Sequence, residues 1–410
     1  MTTQWDSLLS NSGRNLRGSA VRELFKLMRP GMISFGGGMP APETFPCEAI
    51  ERVCSKVLRE QGTVALQYGQ TAGYIPLRDH LAEVTMAELG LHARRENVLV
   101  ITGGLQADDL LPKVLVDPGD PVVVEDPTFL GALASFAPYQ PRYITIPVDG
   151  EGMRVDLLAE ALKKENPKFI YTIPNFHNPA GCTMSLERRQ KLVALADRYG
   201  VPLLEDDPYH QLRFSGEPQP ALVSLDQERL DRPAEDEAYT AGNVIYTGSF
   251  SKILSPGIRL GWVCGPTPII EKLERAKQGV DLHTSLFIQM IAYELCQEGF
   301  FPAHIERIRE LYRRRRDLMM DLIGEHFPPE ATFTVPDGGL FLWVTLPPGC
   351  DTQAMMLDAI EAGVAFVPGS SFYATGGGEN TMRLNFSNAN EEQMPRGIAL
   401  LGEVLKKHIG

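Results

Sequence analysis

The residues best suited to a chemical role in this sequence surround Lys252, which follows an apolar, β-branched run at residues 244–247. That run predicts a buried strand, and the small residues after it predict a turn that delivers the lysine. Ser249, Ser251 and Arg259 flank the lysine and together could bind a phosphate group. Because an ammonium is costly to remove from water, these apolar, glycine-rich surroundings favour a chemical role.

The pattern around Lys252 leaves three interpretations open. The lysine could bind a phosphate directly, or it could hold pyridoxal phosphate (PLP) as a Schiff base. The third interpretation is a surface turn with a solvated lysine, since short motifs give many false positives.

Strand and helix patterns alternate from residue 97 to residue 264, which predicts a mostly parallel sheet with helices on both faces. The predicted fold class is therefore α/β, with a large domain built on a seven-stranded sheet. The predicted strands are 98–102, 121–125, 143–148, 169–173, 201–205, 244–247 and 260–264.

Residues that could bind a ligand or take part in a reaction follow five of these strands. Ligands of parallel α/β sheets bind beyond the carboxyl ends of the strands, so a joint placement there predicts one site. Singly, each residue could be a turn, a cap or an exposed tip. In strand order they are Gly103, Gly104 and Gln106; Phe129; Asn178; Asp206, Asp207 and Tyr209; and Ser249, Ser251 and Lys252.

The segments outside this sheet predict a smaller α/β domain, which the N-terminal segment joins. The predicted division is 1–50 for the N-terminal segment, 51–300 for the large domain and 301–410 for the small domain. The small domain is predicted to contain strands near 340–346, 364–368 and 381–387 and helices at 302–324, 352–362 and 391–407. A further helical stretch is predicted at 268–297, and the run Arg313–Arg316 is interpreted as a solvated helix face.

Composition limits the possible partners and the compartment. The chain has 410 residues, a length typical of two domains, and 39 basic against 52 acidic residues give a net charge of −13. That charge argues against a nucleic-acid or membrane-surface partner. Six cysteines without a C-x-x-C pair are interpreted as free thiols of a reducing compartment, and no membrane span or leader is apparent. A cytoplasmic protein is expected.

Seven segments carry a resemblance that runs almost end to end. They are SAVRELFKLMRPGMISFGGGMPAPETFP, ALQYGQTAGYIPLRDHLA, PNFHNPAG, EDDPYH, GSFSKILSPGIRLGW, AKQGVDLHTSLFIQM and FVPGSSFYATGGGENTMRLNFS. With them the chain resembles the fold-type I PLP-dependent aminotransferases of class I and II. It is most similar to the branch of 2-aminoadipate and kynurenine aminotransferases.

The resemblance implies a role for each matching residue. Lys252 would hold PLP and shuttle a proton, and Asp206 would pair with the pyridine nitrogen. Tyr209 and Asn178 would bond the ring 3-oxygen, and Phe129 would stack on the ring. Arg259, Ser249, Ser251 and the backbone of Gly104 and Leu105 would bind the phosphate, and Gln106 matches a further cofactor-binding residue of that phosphate-side loop.

The resemblance also implies how substrates and a second subunit are bound. Arg383 would take the substrate α-carboxylate as a fork, near Gly38 and Asn178. Arg22, on a predicted helix at 19–28, would bind the side-chain carboxylate of a dicarboxylic substrate. A solvated Arg22 is the open alternative. Tyr68 would reach the phosphate of the other subunit, which implies a homodimer.

The sequence departs from the family pattern at three positions: Leu105 replaces a serine, Ala180 a threonine and Phe129 the commoner tyrosine. The leucine removes one side-chain contact to the phosphate. The expected activity is transfer of an α-amino group from a 2-aminoadipate-like amino acid to a 2-oxo acid such as 2-oxoglutarate.

Other activities remain open on the same resemblance. The amino acid could be aromatic or branched, and a decarboxylase or β-lyase on the same fold is possible. The PLP-binding half of a transcription regulator is disfavoured, because only about eighteen polar residues precede the first predicted helix, too few for a winged helix.

Overall fold

A mixed sheet of eight strands forms the centre of the molecule. The computed structural model describes residues 4–16, 18, 26, 29–230 and 237–409. The strands of this sheet, in chain order, are β2 (Val98–Ile101), β3 (Pro121–Asp126), β4 (Arg142–Asp149), β5 (Gly152–Met153), β6 (Ile170–Thr172), β7 (Leu203–Asp206), β8 (Val244–Ser249) and β9 (Gly261–Cys264). Their spatial order is β2-β9-β8-β7-β6-β3-β4-β5.

The directions of the strands explain where a ligand can bind. Strands β4, β3, β6, β7 and β8 are parallel, so their carboxyl ends share one edge of the sheet. Strand β9 runs antiparallel to β8, with Gly261 opposite Ser249, so β9 begins at that same edge. The loop before β9, which carries Arg259, therefore meets the loops after the parallel strands.

The predicted α/β class and its mostly parallel sheet are confirmed, but the sheet has eight strands instead of seven. The additional strand is β5, whose two residues fold back and pair antiparallel with the end of β4. A two-residue strand is too short to produce a hydrophobic pattern in sequence. Every residue of the inner strands β8 and β9 is buried, because helices cover both faces of the sheet. Strand β2 lies at an edge of the sheet, and its residues are buried as well.

Helices surround the sheets. The α-helices of the described chain are Trp5–Leu8, Asn11–Asn15, Cys47–Ala65, Ile75–His80, Met86–Glu88, Gly104–Leu115, Leu130–Phe136, Val155–Leu162, Leu186–Tyr199, Leu222–Glu228, Thr267–Gln278, Leu286–Gln297, Phe301–His326, Thr352–Ala362 and Gln393–Ile409. A π-helical stretch, Leu81–Thr85, joins the fourth to the fifth. None of these described helices is long and apolar enough to cross a bilayer.

The helical stretch predicted at 268–297 is wrong at its centre, where two helices meet. Thr267–Gln278 ends before Gly279, and the next helix begins at Leu286. Between them, Asp281 accepts hydrogen bonds from the Lys277 ammonium at 2.6 Å and the Gln106 amide at 2.9 Å. These side-chain bonds hold the chain in a bend that hydrophobic spacing does not reveal.

The C-terminal part of the chain forms a second, antiparallel sheet. Its order is β10 (Thr332–Phe333), β11 (Phe341–Thr345), β14 (Thr381–Asn385) and β13 (Val367–Pro368). Strand β1 (Ile33–Ser34) pairs in parallel with β12 (Val364–Ala365), which ties the N-terminal segment to this part of the chain. The strand predicted near 364–368 is therefore two strands that serve different sheets.

The arginine run on helix Phe301–His326 is not a solvated face, contrary to the interpretation from charge. Arg313 and Arg314 are exposed, but Arg315 is buried and binds the Ser387 carbonyl at 2.6 Å. Arg315 also pairs with Glu43 of the N-terminal segment. Its neighbour Arg316 donates to the Pro336 carbonyl at 2.8 Å. These two arginines join segments that are distant in sequence, so their partners could not be read from the run itself.

Candidate active site

A cavity of about 290 Å³ lies at the carboxyl ends of the parallel strands, where the two parts of the chain meet. All but three of the residues to which the resemblance gives a role line it. They are Gly38, Gly104, Leu105, Phe129, Asn178, Asp206, Tyr209, Ser249, Ser251, Lys252, Arg259 and Arg383. The volume is at the lower end of the range for small-molecule sites, about 300–1,000 Å³.

Lys252 lies between the two parts of the chain. Its ammonium donates a hydrogen bond to the carbonyl of Gly38 at 2.9 Å and lies 5.9 Å from the ring centroid of Tyr209. Burial, and next the charges of Arg383 and Arg259, lower the pKa of Lys252 to about 8. The neutral amine, which is the form that attacks a carbonyl, is therefore easier to reach near neutral pH than in a solvated lysine.

Asp206, at the end of β7, lines the cavity. The hydroxyl of Tyr171 donates to its Oδ2 at 2.8 Å. Burial raises the pKa of Asp206 to about 7, and this bond from Tyr171 opposes the rise. The carboxyl is therefore poised to bind a positively charged partner, which would stabilise its ionised form.

Asp207, the neighbour that sequence could confuse with Asp206, faces a different cavity. It accepts a hydrogen bond from the Asn175 amide at 2.9 Å, and the hydroxyl of Tyr246 lies 3.4 Å from its Oδ2. That second cavity is also lined by His210. Successive residues of an extended chain point to opposite faces, so the two aspartates separate.

Arg383, in the middle of β14, presents a buried positive charge without a carboxylate partner in the described chain. Its guanidinium donates to Asn178 Oδ1 at 2.8 Å and to the Gly36 carbonyl at 2.7 Å. The rings of Phe341 and Phe372 lie 4.2 Å and 5.0 Å from it. Burial lowers the pKa of Arg383 to about 10. Since a buried cation with only neutral partners is costly, the site suits a carboxylate ligand.

Tyr209 and Asn178 connect the lysine to the arginine. Both are buried, and burial raises the pKa of the Tyr209 phenol above its usual value. Because Asn178 already bonds Arg383, it can orient a ligand and the guanidinium together. Phe129 closes another side of the cavity, with its ring packed over Gly131, where a Cβ would lie 2.4 Å from the ring.

A candidate anion-binding site, here named the phosphate cradle, is formed by Arg259, Ser249 and Ser251 at the start of helix Gly104–Leu115. Its N-cap Gly103 has φ +82°, and a Cβ there would lie 2.3 Å from Arg259 Nη2, so only glycine admits the guanidinium. Nearby, Ser249 Oγ accepts a hydrogen bond from the Ser251 amide at 3.1 Å. A helix N-terminus, a guanidinium and two hydroxyls together can bind a phosphate group.

Three of the residues assigned from sequence do not line the cavity. Gln106 turns away, accepting from the Thr102 amide at 2.8 Å and donating to Asp281 at 2.9 Å, so it supports the cradle from outside. Tyr68 is 79% exposed, with its ring edge against His283. Arg22 lies outside the described residues.

Asp108, Tyr171 and Phe341 are among the residues around the cavity that sequence reasoning missed. Asp108 follows Gly104 by four residues, so helical spacing could have placed it on the face that meets the ligand. Tyr171 lies inside β6, and only the pairing of β6 with β7 brings its hydroxyl to Asp206. Nothing near Phe341 in sequence connects it to Arg383.

The lining of the cavity is suited to an organic phosphate that carries a carbonyl group. It combines a phosphate cradle, a carboxyl facing inward and an amine of low pKa, with the guanidinium of Arg383 next to the amine. These are the groups that a phosphorylated pyridine aldehyde and an amino acid together require.

Comparison with known proteins agrees with this chemistry. The family model for aminotransferase class I and II matches residues 32–401. The chain is 42% identical to aromatic-amino-acid aminotransferase 1 of Thermococcus litoralis, over all of this chain and 96% of that protein. It is 41% identical to 2-aminoadipate transaminase of Thermus thermophilus, over 98% and 97% of the two chains.

A solved structure extends the similarity to three dimensions. It is alpha-aminoadipate aminotransferase from Thermus thermophilus, complexed with N-(5'-phosphopyridoxyl)-L-leucine, with 40% identity and a TM-score of 0.90. The match covers 99% of both chains. The chain therefore belongs to the class I and II aminotransferases and has their fold-type I architecture.

Proposed function

We propose that this aminotransferase holds PLP in the cavity around Lys252 and transfers the amino group of 2-aminoadipate, or a similar long amino acid, to 2-oxoglutarate. One observation supports this most strongly. The amine of Lys252 and the guanidinium of Arg383, which has no carboxylate partner in the described chain, line one cavity. Each bonds a carbonyl of the same glycine-rich loop, Gly38 and Gly36. An α-amino acid needs such a pair, because its carboxylate and its reacting α-carbon are neighbours.

The residues that would hold the cofactor divide into three groups. Lys252 would bind its aldehyde covalently, and Asp206 would face its ring nitrogen. Tyr209, Asn178 and Phe129 would contact the ring, while Arg259, Ser249, Ser251 and the backbone at Gly104 and Leu105 would bind the phosphate. When bound, PLP supplies an electron sink for the negative charge that develops at the α-carbon.

The protein itself supplies orientation and proton transfer. Arg383 would hold the substrate carboxylate as a bidentate fork, with Asn178 fixing the plane of the guanidinium. Lys252 Nζ would take the α-proton and return it to the product, for which a pKa of about 8 is well placed. Asp206 would stay ionised beside a protonated ring nitrogen.

The substrate side chain is the least constrained part of the proposal. Relatives at similar identity are named for 2-aminoadipate and for aromatic amino acids, so a broad range is supported, with aromatic or branched substrates as the alternative. We also propose, from sequence alone, that Arg22 binds the side-chain carboxylate of a dicarboxylic substrate.

A homodimer is also proposed. Apolar side chains near the cradle are exposed in the single chain, including Leu66 at 73%, Tyr68 at 79% and Leu282 at 46%. A second copy that covered this surface would bring Tyr68 to the partner's phosphate cradle. Free cysteines such as buried Cys182 and Cys264 support a reducing, cytoplasmic location.

A half-reaction assay tests the proposed activity. The purified protein is mixed with single amino acids, and its absorbance is followed as the PLP form converts to the pyridoxamine form. We expect conversion with 2-aminoadipate and glutamate, and reversal by 2-oxoglutarate. Release of carbon dioxide or of a side-chain fragment would indicate a decarboxylase or β-lyase instead, and no spectral change with any amino acid would contradict the proposal.

A further inference from the structure

A second carboxyl group, Asp108, lines the same cavity as Asp206. It projects from the first turns of helix Gly104–Leu115, whereas Asp206 ends β7. Both are buried, with 1% and 6% of their surfaces exposed. The roles derived above use Asp206 and leave Asp108 without a function.

The two carboxyls have unequal partners. Asp206 accepts a hydrogen bond from the Tyr171 hydroxyl at 2.8 Å, and the positive charge of Lys252 favours its ionised form. No hydrogen bond to the Asp108 side chain occurs within the described chain, and no cation pairs with it there. The acidic groups that act on Asp108 are Asp206 and its helix neighbour Asp109, and both disfavour a negative charge.

Two carboxylates in one water-poor cavity are costly to ionise together, as in paired carboxyl sites where one group keeps a proton. A carboxyl that accepts a hydrogen bond is stabilised in its charged form. The proton should therefore remain on the carboxyl that accepts fewer hydrogen bonds, which is Asp108. The bond from Tyr171 therefore decides the order in which the two lose their protons.

We propose that Asp108 stays protonated near neutral pH and thereby leaves Asp206 as the only negatively charged side chain that the described residues contribute to the cavity lining. Burial, with the charge of Asp206 next, raises the pKa of Asp108 well above its usual range, in agreement with the geometry. Asp108 is then a positioning residue that acts through Asp206. Its purpose rests on the proposed function, in which Asp206 faces the cofactor ring.

Infrared spectroscopy of the purified full chain tests where the proton lies. Labelling the aspartate carboxyls with ¹³C shifts their bands, so that protonated aspartates are separated from buried glutamates such as Glu205. At neutral pH, Asp108→Asn should remove one band of a protonated carboxyl, and Asp206→Asn should keep it. Asp109→Asn is the matched control, because Asp109 shares the helix but is bonded by Tyr139 at 2.9 Å; it should also keep the band.

Two outcomes would overturn the inference. Loss of the band in Asp206→Asn with retention in Asp108→Asn would place the proton on Asp206. A spectrum unchanged by Asp108→Asn, in protein whose circular dichroism matches the wild type, would show that Asp108 is ionised. The visible absorbance of the same samples measures bound PLP independently of the carboxyl band. Absence of PLP would therefore contradict the proposed function without changing the assignment of the proton, and a changed proton assignment would leave the proposed function intact.

Discussion

The two ends of the cavity are built from opposite charges and from different kinds of sequence neighbour. The acid end, with Asp206 and Tyr171, belongs to adjacent strands β7 and β6, and its members are 35 residues apart. The arginine end joins Arg383 to Gly36, which is 347 residues away. The first end follows from the order of strands, whereas the second exists because the segment around Gly36 packs against the C-terminal part of the chain.

Neither end neutralises the other. The cations Lys252 and Arg383 bond the carbonyls of Gly38 and Gly36, and not the carboxyl of Asp206. Burial lowers the pKa of both cations and raises that of Asp206, which shows that these charges lack full compensation. This difference between the ends agrees with the proposal that Asp206 faces a ring nitrogen and that Arg383 binds a carboxylate.

Removing the lysine between the two ends should have the largest effect. Lys252→Ala is expected to reduce turnover by about a thousandfold or more, because both the covalent attachment and the proton transfer are lost. Steady-state assays measure the loss, and borohydride reduction tests the attachment. A variant that still yields covalently bound cofactor after reduction would show that another lysine holds it.

The acid end is tested by comparing adjacent aspartates. Asp206→Ala should lower kcat by about a hundredfold or more and change PLP affinity much less, because the phosphate cradle stays intact. Asp207→Ala, which alters the other cavity, should retain more activity. Spectroscopic PLP titration together with kcat separates binding from chemistry, and an inactive Asp207→Ala beside an active Asp206→Ala would reverse the assignment.

The arginine end should control substrate affinity more than cofactor binding. Arg383→Ala is expected to cost about 2–4 kcal/mol in kcat/KM for every amino and 2-oxo acid, since the α-carboxylate loses its fork. Arg383→Lys keeps the charge but not the fork and should recover only part of the loss. A full recovery with lysine would mean that charge alone binds the carboxylate.

The smallest effect is expected for Arg22 and should depend on the substrate. Arg22→Ala should cost about 1.5–3 kcal/mol in kcat/KM with 2-aminoadipate and glutamate, the scale of a charge-assisted hydrogen bond. Leucine and an aromatic amino acid serve as controls and should be nearly unaffected. Equal losses on acidic and neutral substrates would indicate a structural role for Arg22, and no loss on either would indicate a bystander.

The same comparison explains how much sequence could predict. Hydrophobic runs located the central strands, and residues such as Lys252 and Asp206 follow directly from strand ends, because that geometry is local. Gln106 was assigned to the cradle, yet it bonds Asp281 in a bend that helical spacing did not reveal. Side-chain bonds of this kind carry no periodic signal.

Contacts between distant segments were the other limit. Arg315 looked solvated within an arginine run, but Glu43 and Ser387 approach it from the two ends of the chain. Asp108 was overlooked because an acid near the start of a helix is ordinary in sequence. Its position beside Asp206 depends on how the helix packs over the sheet.

The most direct test of the central claim is to locate the cofactor on the chain. The protein is purified with its cofactor, reduced with borohydride, digested and analysed by mass spectrometry. The account predicts a reduced phosphopyridoxyl group on the peptide that contains Lys252, at close to one group per chain. A group on any other lysine, or a digest without the modification, would contradict the assignment of this cavity as the PLP site.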